Sequence, residues 1–179
     1  RTPAFKKWFG DWETDPANAS KVVDENGEPL VVYHGTNYDF DIFESGKGIG
    51  SGDSFGYLGK GHYFTNDYDV AESYSDYNKE PFAVFINSKN PYISSDYRHT
   101  QPSSQGSFAK ELGVSIGEET KFLKSKNKDG VLSQDKTESD YLEVLVYSSN
   151  QIKLADGSNI TFDPDAPSIR KQKPGKKPS

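Results

Sequence analysis

Three stretches far apart in the chain carry side chains suited to one piece of chemistry. Tyr33-His34-Gly35-Thr36 lies near the start, Gly59-Lys60-Gly61-His62-Tyr63-Phe64-Thr65 and then Tyr74 in the middle, and Glu143-Val144-Leu145-Val146-Tyr147 near the end. A carboxylate beside an anomeric carbon stabilises the positive charge that develops as a glycosidic bond breaks. An imidazole can hold a ribose hydroxyl, and tyrosine rings can stack on a planar cationic base for about 0.5–2 kcal/mol each. One histidine, paired tyrosines and a strand-borne glutamate therefore suit a site that grips a nucleotide sugar and breaks its glycosidic bond. The expectation is spatial: Glu143 and His34 must share one cleft. The glycine-rich segment from Gly46 to Gly61 lacks the Lys-Ser/Thr ending of a P-loop and reads by itself as a flexible loop.

The elements that must position these residues follow from pattern. Phe5, Trp8, Phe9 and Trp12 sit at helical spacing behind Pro3, which predicts a short helix whose aromatic stripe docks on the body. Lys21-Val22-Val23 and Leu30-Val31-Val32-Tyr33 flank Asp24-Glu25-Asn26-Gly27, where Asn-Gly supplies a hairpin turn and leaves His34 at a strand end. Phe40, Ile42 and Phe43 suggest a second short strand. Asp67 is placed to cap a helix on which Val70, Ala71 and Tyr74 share a face, so Tyr63 and Tyr74 flank one strand-to-helix corner. Pro81 to Ile86 reads as a central strand and Pro91-Tyr92-Ile93 as an edge piece, whereas residues 94–107 are polar and loop-like. Phe108 to Leu112 and Glu118 to Leu123 are helical candidates, and strands return at Asp129 to Leu132, Tyr141 to Tyr147 and Gln151 to Leu154. The sum is an α+β domain of two packed antiparallel or mixed β-sheets with a few short helices.

Composition narrows the class. A hydrophobic fraction of only 32% is offset by 13% aromatic residues, so Tyr, Phe and Trp must carry much of the burial. The chain has no cysteine, which removes disulfides, thiolate zinc sites and cysteine nucleophiles, and no metal is expected. The longest apolar run, Leu30 to Tyr33, is far short of the roughly 20 residues a membrane span requires. With no methionine in a chain that opens Arg1-Thr2-Pro3, the 179 residues are expected to be a piece of a larger polypeptide. Residues 1–169 are expected to form a single domain and 170–179, with five cations, a Pro- and Gly-containing linker. Without those five the chain has 16 basic against 27 acidic residues, a charge of about −11 that would repel a polyanion.

These residues carry a resemblance. Gly59 to Thr65, with Tyr74 eleven positions after Tyr63, looks like the central motif of diphtheria-toxin-like ADP-ribosyltransferases, which include the poly(ADP-ribose) polymerases. His34-Gly35-Thr36 resembles their first motif, and Glu143 to Tyr147, followed by Gln151, the strand that bears their catalytic glutamate. The histidine, tyrosine, glutamate order of that clade is matched. Phe5 to Trp12, Val22 to Thr36, Asn150 to Lys153 and Phe162 to Asp165 are similar to transferase domains of phage and mobile-element polyvalent proteins.

The resemblance implies an ADP-ribosyltransferase fold with NAD as co-substrate and nicotinamide as leaving group. It implies that Glu143, His34 and Tyr63 are catalytic, with Glu143 on the 2′-hydroxyl of the nicotinamide ribose and His34 on the adenosine ribose. Gly35 and Thr36 would bind through the backbone, Gly35 reading the nicotinamide amide because a missing side chain admits the ligand. Tyr74 would stack on the nicotinamide with Tyr63 lining its other side, Phe64 would be a further cofactor-binding residue, and the Gly46 to Gly61 segment would be a mobile donor loop over the dinucleotide. Arginine-directed relatives carry Glu or Gln two positions before the catalytic glutamate, where this chain has Tyr141, and Ala71 stands where polymerase relatives place a serine. No room exists for the loop and helical domain of chain elongation, so single transfer to a macromolecule is expected, protein before nucleic acid, by a monomer in a cytoplasm, produced there or delivered. Two alternatives stand beside it: an NAD glycohydrolase, or a catalytically silent NAD or ADP-ribose binding module.

Overall fold

The computed structural model describes residues 2–47, 50–76, 79–94, 106–134 and 140–170. Helix α1 (Pro3–Phe9) begins where the Thr2 hydroxyl accepts the Phe5 amide and stops at Gly10, whose φ of 100° an ordinary residue resists. Seven residues are too few to hold a helix in water, so tertiary burial must do it. Phe5, Trp8, Phe9 and the following Trp12 form one aromatic cluster, as the spacing predicts. Phe5 meets Phe85 and Phe162 with ring centroids 5.0 and 4.9 Å away, and each such buried ring contributes about 1.5–3 kcal/mol.

The strands are β1 (Val32–His34), β2 (Ser54–Gly56), β3 (Gly59–Thr65), β4 (Phe82–Ile86), β5 (Tyr92–Ser94), β6 (Gly130–Gln134), β7 (Leu142–Val146) and β8 (Ile152–Leu154). They are hydrogen-bonded in the order β5-β6-β7-β3-β1-β4-β8, with β2 pairing the outer end of β3. β5 and β6 run parallel and the other described pairs antiparallel. Between them lie α2 (Tyr68–Glu72), α3 (Ser107–Leu112) and α4 (Glu119–Ser125). The α+β class, the N-terminal helix and the short later helices match the sequence expectation.

The expected pair of sheets takes a particular form, because hydrogen bonding never breaks between them. β1 and β3 meet at a single residue pair, Tyr33 opposite Thr65, so the sheet is continuous but pinched there. Val32, Val84, Ile86, Ile152 and Leu154 from one half share a core cluster with Phe64, Leu132, Val144 and Val146 from the other, and no helix contributes to it. A face this buried without helical cover requires the two halves to fold toward each other, helped by Phe43 and Ile169. On the opposite face of β6 and β7, Val131 and Leu145 are covered by Phe108 of α3 and Leu123 of α4.

Two local expectations change. The Asn26-Gly27 turn forms, with Gly27 at φ 78°, but its arms meet only at a Val23–Pro29 bridge, because the next amides of the first arm turn elsewhere: Val22 N donates to the Ser20 hydroxyl and Lys21 N to the Ser88 carbonyl. Residues 40–43 are not a strand: the Asp41 carbonyl accepts from Ile169 N at 2.8 Å and Phe43 N donates to the Ser149 hydroxyl at 3.0 Å. These partners come from the chain's C-terminal part and replace a ladder. Arg170, counted with the expected linker, donates to Asp39 at 2.7 Å and also pairs with Asp41, so the folded body reaches at least that residue. Residues 171–179 and most of the expected loop at 94–107 lie outside the described residues.

Candidate active site

β7 places the glutamate by simple alternation. Leu142, Val144 and Val146 point into the central core, and Leu145 faces the α3–α4 side. Glu143 shares the Leu145 face but lies beyond the helices' cover, so its carboxyl is half-buried at the edge of a cleft. Directly across the ladder sit Thr65 of β3 and Ser133 of β6. The Tyr57 hydroxyl, from the turn between β2 and β3, donates to Glu143 Oε2 at 2.8 Å. Burial raises the Glu143 carboxyl to about 7, and the hydrogen bond from Tyr57 opposes that rise.

His34 ends β1 against the same cleft. Its Nδ1 lies 2.7 Å from the Tyr63 carbonyl oxygen, which can only accept, so Nδ1 carries the hydrogen and Nε2 keeps its lone pair. Desolvation lowers its pKa to about 4 despite the Tyr63 carbonyl, so the ring is neutral at pH 7. A neutral imidazole with a free acceptor nitrogen can take a hydrogen bond from a sugar hydroxyl.

α2 supplies the next wall. The Asp67 side chain accepts the Val70 amide, as its position before the helix predicts, and Val70, Ala71 and Tyr74 line the cleft together. Tyr74 is 72% exposed, a ring poised to stack. The glycine at 35 has a packing reason that the sequence did not disclose. A Cβ there would lie 1.7 Å from the Ala71 carbonyl oxygen, so the missing side chain admits the end of α2.

Tyr63 and Phe64 likewise divide their duties. The Tyr63 hydroxyl accepts from Leu58 N at 3.0 Å and donates to the Gly59 carbonyl, which commits it to the β2–β3 turn and leaves only the ring at the cleft. A Cβ on Gly56 would lie 2.6 Å from that ring, so Gly56 is required for the packing. Phe64 borders the cleft, yet its ring is 2% exposed and belongs to the central core. Within the glycine-rich segment, residues 54–61 form the β2–β3 hairpin, and buried His62 approaches the Gly52 carbonyl through Nδ1 at 3.0 Å.

His34, Gly35, Thr36, Tyr63, Phe64, Tyr74 and Glu143 thus all border one cleft of about 780 Å³, within the range of small-molecule sites. No lysine or arginine lines it among the described residues, while Asp53 and Glu143 do. No three His, Asp or Glu side chains gather as metal ligands among the described residues, and no helix there is long and apolar enough to cross a membrane. A family model described as ADP-ribosyltransferase in polyvalent proteins matches residues 24–162, more than three quarters of the chain. The chain belongs to that family. Curated proteins yield no match.

The matched span of this ADP-ribosyltransferase includes both His34 and Glu143, while α1 lies outside it and docks on β4. Sequence reasoning missed Tyr57, Ser133 and Asp53 as neighbours of the site. Tyr57 had one legible signal, since Gly56 and Gly59 bracket a two-residue hairpin turn. Ser133 had none, because its position opposite Glu143 is a matter of strand register.

Proposed function

We propose that this domain is a mono-ADP-ribosyltransferase of the histidine, tyrosine, glutamate type, which moves ADP-ribose from NAD to a protein acceptor and releases nicotinamide. The carrying observation is the shared cleft: a neutral His34 with an acceptor nitrogen and a half-buried Glu143 border the same space as the exposed ring of Tyr74. NAD supplies a leaving group that is already cationic, so its departure needs no proton donor. The C1′–N bond breaks, its electron pair stays on the nicotinamide nitrogen, and the acceptor's lone pair forms the new bond at C1′. The acceptor's proton passes to the Glu143 carboxylate or to water. Anionic Glu143 would stabilise the ribose cation and hold the 2′-hydroxyl. His34 Nε2 would accept from the adenosine ribose, and Tyr74 would stack on the nicotinamide with the Tyr63 ring opposite. Backbone groups of Gly35 and Thr36 would orient the amide.

A protein acceptor is favoured over nucleic acid on electrostatic grounds. The described cleft lining holds two acids and no lysine or arginine, and the chain without its last ten residues carries about −11. Tyr141 at the cleft, in place of Glu or Gln, argues against arginine as the modified side chain. We place the domain as a monomer in a cytoplasm, within a larger polypeptide to which residues 171–179 are the linker.

The test is incubation with NAD labelled in the adenylate and a whole-cell lysate, with protease and nuclease arms. Label that survives nuclease and is lost to protease supports the reading. The reverse pattern assigns nucleic acid. Free ADP-ribose with no labelled macromolecule assigns a glycohydrolase, and no nicotinamide release at high protein concentration assigns a binding module.

A further inference from the structure

The β2–β3 hairpin reaches over the end of β7 and touches the one carboxylate that the proposed reaction needs. Tyr57 sits at its tip, half-buried, with its hydroxyl 2.8 Å from Glu143 Oε2. Ser133, buried and directly opposite Glu143 on β6, hydrogen-bonds the same phenol, whose one hydrogen already goes to Glu143, so the serine hydroxyl is the donor. The result is a directional chain in which Ser133 donates to Tyr57 and Tyr57 donates to Glu143. The hairpin is held in turn by the Tyr63 hydroxyl, bonded to Leu58 within the turn and to Gly59 just after it. Ser133 thus holds the phenol, Tyr63 holds the turn that carries it, and the phenol holds one carboxylate oxygen.

We propose that Tyr57 is a positioning residue for ADP-ribose transfer: it clamps Oε2 of Glu143, leaves Oε1 to act on the ribose, and favours the carboxylate over the acid. This rests on the reading of Glu143 as the carboxylate that acts on the sugar. The titratable groups facing Glu143 are Tyr57 from the hairpin, Tyr63 from β3 and Tyr141 from the entry to β7. All three are phenols raised by burial and neutral near pH 7, and the uncharged hydroxyls of Thr65 and Ser133 flank the carboxyl from the neighbouring strands. His34 and Asp53 border the same cleft, and no lysine or arginine does among the described residues. With no cation there to hold the charge, the Tyr57 hydrogen bond is the contact that opposes burial, which by itself pushes Glu143 up. Its loss makes the carboxyl harder to ionise, so a rate that needs the anion rises only at higher pH.

The test measures nicotinamide release from NAD by the full chain between pH 5.5 and 9.5 for wild type, Tyr57→Phe, Ser133→Ala and Glu143→Gln. Phe keeps the ring and removes only the hydroxyl. For Tyr57→Phe the acid limb of the kcat/KM profile is expected to move alkaline by about one pH unit, since a hydrogen bond to a charged group is worth roughly tenfold in an equilibrium. The rate at pH 7 falls about fivefold and recovers toward wild type above pH 9, while KM for NAD stays within about twofold. Ser133→Ala moves the limb in the same direction by less, and it decides the matter if circular dichroism shows Tyr57→Phe to be misfolded. An unmoved limb, or a loss that is equal at every pH, overturns the clamp. Full activity of Glu143→Gln overturns the catalytic reading beneath it, a result distinct from an inactive Glu143→Gln with an unmoved Tyr57→Phe profile.

Discussion

Replacing Glu143 with Gln should make the protein more stable at alkaline pH and leave it nearly unchanged at acid pH. The carboxyl titrates at about 7 in the folded chain against 4.5 unfolded. Between those values the folded state binds more protons than the unfolded one, so stability falls as pH rises from about 4.5 through about 7 and is flat above. At 1.36 kcal/mol per pH unit the full penalty on the anion is about 3 kcal/mol. Glu143 is only half-buried at the edge of an open cleft, and screening reduces the figure to about 1–2 kcal/mol. Gln keeps the acceptor for Tyr57 and cannot ionise, so it escapes the penalty. For a domain of this size that corresponds to a Tm gain of about 3–6 °C at pH 8.5. At pH 5 most of the penalty is already relieved in the wild type, and the two melting curves should nearly coincide. Scanning calorimetry or thermal circular dichroism of both proteins across pH 5–8.5 reads this directly. A difference in Tm independent of pH would show that Glu143 is not held in a desolvated environment. The same variant should release nicotinamide about 10²–10⁴ times more slowly, so the gain in stability and the loss of function would come from one buried charge.

Gly35→Ala should cost about 1–3 kcal/mol in denaturant unfolding, because the new methyl would overlap the Ala71 carbonyl and push α2 outward; unaltered stability would show that α2 yields freely. Tyr74→Ala should leave stability within about 0.5 kcal/mol, since the ring is 72% exposed, yet weaken NAD binding about tenfold by calorimetry through lost stacking. His34 stays neutral down to a pKa of about 4, so NAD affinity should not fall through His34 between pH 8 and 5.5, and His34→Ala should weaken binding at every pH in that range. A histidine-dependent loss of affinity near pH 6.5 would refute the buried, neutral assignment.

Much of this site was legible before any coordinate. Local chemistry determines the cap at Asp67, the aromatic stripe of Phe5, Trp8, Phe9 and Trp12, and the apolar strand that bears Glu143. Each of these depends on neighbours within a turn of helix or two residues of strand. Long-range pairing lay beyond such signals. Residues 40–43 have the composition of a strand, but their backbone partners are Ile169 and Ser149, more than a hundred residues away. The Gly35 Cβ is excluded by a carbonyl of α2, and the Tyr63 hydroxyl is bonded to the turn it follows. The Ser133–Tyr57–Glu143 chain exists only because β6 and β7 pair in one register and the hairpin folds back over their end. The sequence by itself determined which side chains could handle a nucleotide sugar. Only the tertiary structure decided which of them hold the ligand's cleft open and which hold one another, because a side chain's partner is set by distance in space and chain order does not encode it.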